Sequence, residues 1–119
     1  MTFLDIFEGM HRKDQGVTSG AVAGVDGLTV AEWRAPGDDR DLSALCAEAV
    51  HFFRESDRIA SENGLGEAEE VHLGGERAQV FIRKVAAEYF LVIVTELGTV
   101  PGKCRFLLRQ AARHTRELL

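Results

Sequence analysis

The chain has 119 residues, 45% of them hydrophobic and 28% charged, with a formal net charge of −5. One domain of that size buries a single core, and its acidic balance argues against nucleic acid as a partner. No apolar run approaches the roughly 20 residues of a membrane-spanning helix, and Thr2–Glu8 carries acids where a signal peptide carries bases, so a cytoplasmic protein without membrane insertion is expected.

Thr2, with Asp5 three residues on, predicts the cap of a short amphipathic helix from Phe3 to about Arg12, with Phe3, Ile6, Phe7 and Met10 on one face. Strand one, Val17 to Gly24, is rich in small residues, which permits close approach of a helix or a backbone. Asp26-Gly27 is a hairpin turn, and Leu28 to Trp33 returns as strand two.

A long helix starts after Asp41, a suitable N-cap, and stops at Asn63-Gly64. Leu42, Leu45, Cys46, Ala49, Phe53 and Ala60 form its core face, while Ala44, Ala47, His51, Arg54, Glu55 and Arg58 lie opposite. Val50 and Phe52 flank the core face on its two sides. The apolar band is therefore wider than one sheet needs, and a partner would cover its margins.

Strand three is Glu69 to Leu73, strand four Ala78 to Val85, and strand five Tyr89 to Thr95. The last of these has no alternation, which predicts a central strand covered on both faces. Pro101 opens a final helix at a position that tolerates a missing N–H, with Cys104, Leu107, Leu108, Ala111 and Leu118 as its inward stripe. Residues 101–119 carry a net +4, which leaves −9 for the first hundred. A solvated face that complements the helix dipole accounts for this basic helix.

No residue set carries chemistry. Gly98-Thr99-Val100-Pro101-Gly102-Lys103-Cys104 imitates a phosphate-binding loop, but its spacer is one residue short, and Cys replaces the hydroxyl that holds magnesium. His11, His51, His72 and His114 lack ligand spacing, so no metal and no cofactor are expected. Ser19, Ser43, Ser56 and Ser61 sit in no nucleophile elbow. Cys46 and Cys104 read as buried apolar residues. Asp38, Asp39 and Asp41 precede a helix start, and Glu67, Glu69 and Glu70 guard an edge strand.

Element order and local signatures together resemble the Roadblock/dynein-light-chain family, and within it the bacterial MglB-like proteins. The signatures are Gly16-Val17, Asp26-Gly27-Leu28, Gly64-Leu65-Gly66-Glu67 ahead of Glu69-Glu70-Val71, Val80-Phe81-Ile82-Arg83, and Tyr89-Phe90-Leu91-Val92. The resemblance spans residues 3 to 118 and departs at Thr99-Val100-Pro101-Gly102, where the family enters its last helix through an Asn-Leu-Gly-like turn. It implies one α+β domain over 1–119: a five-stranded antiparallel sheet in order 2-1-5-4-3, with the long helix on one face and the terminal helices on the other.

It further implies a homodimer that pairs strand three with its mate. Glu69, Val71, His72 and Leu73 would lie at the seam, with Ala44 and Ala47 permitting close helix approach. The implied function is non-enzymatic: a regulator or scaffold that binds a Ras-like small GTPase of the MglA kind near His51, Arg54, Glu55 and Arg58. A structural adaptor with no effect on nucleotide hydrolysis is the alternative. The resemblance implies reorganisation of the partner rather than donation of a catalytic arginine by Arg54 or Arg58.

Overall fold

The computed structural model describes residues 1–119 as three helices and five strands. Thr2 closes a capping box over α1 (Phe3–Lys13): its hydroxyl accepts from the Asp5 N–H at 3.2 Å, while the Asp5 carboxylate accepts from the Thr2 N–H at 2.8 Å. Two unpaired donors of the helix start are satisfied together, and these bonds hold the Asp5 carboxyl below the usual carboxylate range.

β1 (Val17–Gly24) shows why its residues are small. A Cβ at Gly20 would stand 2.8 Å from the Phe7 ring and the Ile93 methyl, so α1 lies directly on the strand only because Gly20 has no side chain. Phe7 in turn stacks on Trp33 of β2 (Thr29–Arg34), ring centroids 6.2 Å apart. Between the two strands Gly27 adopts φ +85°, in the left-handed region that glycine favours.

Asp41 caps α2 (Leu42–Glu62) by accepting from the Ala44 N–H at 3.0 Å, and the helix ends at Asn63. Leu42, Cys46, Ala49, Val50 and Phe53 are buried. Val50 is a correction, since the helical wheel put it on a flank. The β1–β2 turn rises beside α2 and covers that side: Val25 packs on the same core, and the Arg54 guanidinium donates to the Val25 carbonyl.

β3 (Glu70–Gly74), β4 (Ala78–Ala86), β5 (Tyr89–Glu96) and α3 (Pro101–Leu118) follow, every boundary within about a residue of the sequence reading. The sheet is antiparallel throughout, in order β2-β1-β5-β4-β3. β5 runs between β1 and β4, and Phe90 through Thr95 are all buried, as a strand without alternation requires.

α1 and α3 cover one face over a core of 16 buried residues, and α2 covers the other over nine. α3 packs on β4 and β5, whereas α2 packs chiefly on β1, β2 and β5. Leu118 is a second correction. It is 39% exposed, because it sits in the final turn beyond the packed layer, and Ala112 and Thr115 complete the inward stripe instead. Cys46 and Cys104 are free and fully buried, one in each core, and burial pushes both thiols up to about 12.

Candidate functional site

His51, Arg54, Glu55 and Arg58 fall on one exposed stripe of α2 by their spacing of three, four and seven residues. Neither arginine is idle. Arg54 is tied to the Val25 carbonyl at the hairpin tip. Arg58 sits between Glu55 and Glu62, its Nη1 at 2.7 Å from Glu62 Oε2, and its hydrogen bond to Glu55 holds that carboxyl below the usual range. Both ion pairs are about half exposed, so they orient the side chains more than they stabilise the helix.

Ala44 and Ala47 are exposed on this side. Ala47 has an intramolecular neighbour: its Cα lies 3.3 Å from where a Cβ at Gly27 would stand, so the hairpin turn accounts for its small size.

β3 is an edge strand, bonded only to β4. Glu69 lies one residue before it, and its carbonyl accepts from the Lys84 N–H at 3.0 Å. The pleat sends its neighbours to opposite faces. Val71 and Leu73, in register with Ile82 and Val80, face the α2 side. Glu70 and His72, in register with Arg83 and Phe81, face the α1–α3 side. The four residues assigned to one seam therefore share an edge but not a face.

One feature extends the sequence reading, which put Phe52 on a flank of an over-wide apolar band, and another escaped it. Leu45, Phe52 and Ile59 recur every seven residues and form one line along α2, on the flank away from the hairpin. Phe52 is 37% and Ile59 48% exposed, and Leu73 beyond them is 53% exposed, so an uncovered apolar margin runs beside the free edge of the sheet. The heptad spacing was the available signal. On the opposite face, Glu70 gathers Arg83, Arg105 and Arg109 from two elements, which no spacing in the chain announces.

The loop before α3 is a loop-to-helix junction. Val100 is its N-cap without a side-chain bond, the Thr99 carbonyl accepts from the Gln79 amide, and Cys104, in the hydroxyl position, is buried. No group of three His, Cys, Asp or Glu side chains is arranged to hold a metal ion, and no helix is long and apolar enough to cross a membrane. His11 is engaged within the fold, its Nδ1 donating to the Val17 carbonyl at 2.7 Å and its ring against Trp33.

No family model matches the chain. It is 33% identical over 104 residues to the uncharacterized protein MJ0714 of Methanocaldococcus jannaschii, covering 87% of this chain and 84% of that one. A second protein of that organism, the uncharacterized MJ0310, is 30% identical over 100 residues, covering 84% and 85%. Among solved structures, the gliding protein MglB of Thermus thermophilus superposes with a TM-score of 0.87 at 17% identity, over 98% of this chain and 87% of that one. MglC of Myxococcus xanthus superposes at 0.70 with 26% identity over the whole of both chains. A Roadblock/LC7 domain from Streptomyces avermitilis gives 0.86 at 12% identity, over 97% and 95%.

Proposed function

The chain belongs to one family with MJ0310 and MJ0714 and has the Roadblock/LC7 fold of MglB, and on that premise we propose a homodimeric, non-enzymatic regulator or scaffold that binds a Ras-like small GTPase of the MglA kind and modulates its GTPase cycle or localisation. The observation that carries this reading is the apolar margin of Phe52, Ile59 and Leu73 beside an unpaired β3 edge. An edge strand with exposed N–H and C=O groups next to an uncovered apolar strip is a surface that a second copy satisfies. A solved MglB with a tetrameric arrangement supports self-association in this fold.

In such a dimer β3 pairs with its two-fold mate, bringing Glu69, Val71, His72 and Leu73 to the seam. The second copy's α2 covers Leu45, Phe52 and Ile59, with Ala44 at its border, whereas Ala47, expected at the same contact, lies against the hairpin turn on the other flank. The His51, Arg54, Glu55 and Arg58 stripes of two helices then form one docking platform. A partner GTPase is regulated there by contact energy that favours one arrangement of its switch segments.

The second reading is a structural adaptor with no effect on hydrolysis. Its ground is that both platform arginines have partners within the chain, Arg54 with Val25 and Arg58 with Glu55 and Glu62, so that the platform is compatible with docking alone. A pull-down from native lysate with GTP and GDP controls tests both. Nucleotide-dependent capture of a small GTPase supports the first, and nucleotide-indifferent capture of scaffold subunits supports the second.

A further inference from the structure

The charged cluster around Glu70 is the feature that the proposed function does not use. Its carboxylate, only 12% exposed, accepts from Arg83 Nη1 at 2.7 Å. Arg105 and Arg109, one turn apart on α3, bring their Nε atoms to 3.8 and 3.7 Å from the same carboxylate. Those distances lie outside hydrogen-bonding range, and Glu70 Oε1 is buried without a bonded partner. Three guanidinium groups thus share one carboxylate that is already matched by Arg83.

Arg105 and Arg109 remain about half exposed and unbonded around a shallow cavity of about 230 Å³ beside Val71 and His72. Arg113 continues the row one turn on, exposed and without an ion pair, and Phe106, next to Arg105 in the chain, is 58% exposed. The local charge of the three arginines and Glu70 is +2 on a chain whose first hundred residues sum to −9.

We infer that this arginine cradle docks an acidic peptide segment of a partner protein, with one carboxylate entering between Arg105 and Arg109 and an apolar side chain resting on Phe106. A guanidinium fork is matched to a carboxylate in shape and charge, and two that Glu70 leaves without a hydrogen bond keep their donors free for a second one. The cradle's charge fits one or two carboxylates. A nucleic acid or an anionic bilayer needs a wider positive field, whereas α1 on the same face presents Asp5 and Glu8 to solvent.

The test uses a fluorescent 12-residue peptide of Glu and Leu, with a Gln-for-Glu version, single-stranded DNA and anionic vesicles as competing probes. The Glu peptide binds in a salt-sensitive manner, and Arg105→Ala with Arg109→Ala weakens it about tenfold or more, while circular dichroism stays unchanged. Glu70→Gln tightens the same peptide about threefold or more, because the cradle loses its internal competitor. Several outcomes would overturn the inference. They are an unaltered affinity in the double alanine variant, weakening by Glu70→Gln, equal binding of the Gln peptide, or tighter binding of DNA or vesicles than of the Glu peptide.

Discussion

His72 lies flat on Phe81, ring centroids 4.2 Å apart and planes within 5°, and its Nε2 is 2.9 Å from Gln79 Oε1. The Gln79 amide nitrogen donates to the Glu96 and Thr99 carbonyls, so its oxygen is the atom that faces the imidazole, and the hydrogen-bond network assigns the proton to His72 Nε2. One side chain on the edge strand thereby ties β3 to β4 and, through Gln79, to the loop that enters α3. His72→Ala removes the stack and leaves a buried amide oxygen unpaired. We expect a loss of about 1–2 kcal/mol in urea unfolding, with faster amide exchange confined to β3.

The wild-type chain, 13.1 kDa as a monomer, is expected to scatter light as a dimer at micromolar concentration. Leu73→Asp should give monomers, because a charge would be buried beside Val80 and the partner's apolar margin. Phe52→Asp should do the same from the helix side. A persistent dimer in both variants would place the interface elsewhere.

Arg54→Glu with Arg58→Glu should abolish binding of the partner GTPase while the dimer persists. Arg58→Glu exchanges two exposed ion pairs, with Glu55 and Glu62, for repulsions, a small effect on the fold at a solvated site. Arg54→Glu also cuts the bond to Val25, so the hairpin turn should exchange its amides faster even where the fold is intact. Calorimetry on the purified pair reads the binding. Unchanged affinity would redirect attention to Arg105, Arg109 and Arg113.

The thiols of Cys46 and Cys104 give a pH signature. Their folded-state values are raised by burial to about 12, from an ordinary value of 9.0. The neutral thiol is therefore favoured by the fold, its stabilising effect is complete below pH 9, and it is lost as pH rises toward 12. Stability should fall over that window more steeply in the wild type than in Cys46→Ala with Cys104→Ala. Native thiols should also resist alkylation at about pH 8 and react once urea unfolds the chain.

The elements were legible because their signals are local: a capping box at Thr2 and Asp5, a turn at Asp26-Gly27, an unbroken apolar run in β5. Strand order was legible only through the resemblance, since no spacing in the chain says that β1 and β5 are neighbours. Val50 was misplaced because a wheel treats the sheet as a flat floor, whereas the hairpin tip climbs the side of the helix. The Glu70 cradle was not legible. It depends on the β3–β4 register and on where α3 crosses it, which brings Arg83 and Arg109 together across 26 residues of chain.

The unequal cores have a consequence for how the molecule responds to load. α2 rests on nine buried residues, of which β3 and β4 supply only Ile82, whereas α1 and α3 share a core of 16. Layers with less buried apolar surface open at lower free energy than the rest of a fold. The helix proposed to carry the docking platform is thus also the layer most easily loosened. A partner that seats there supplies part of its missing support, and its affinity and the helix's order rise and fall together, while the opposite core stays indifferent.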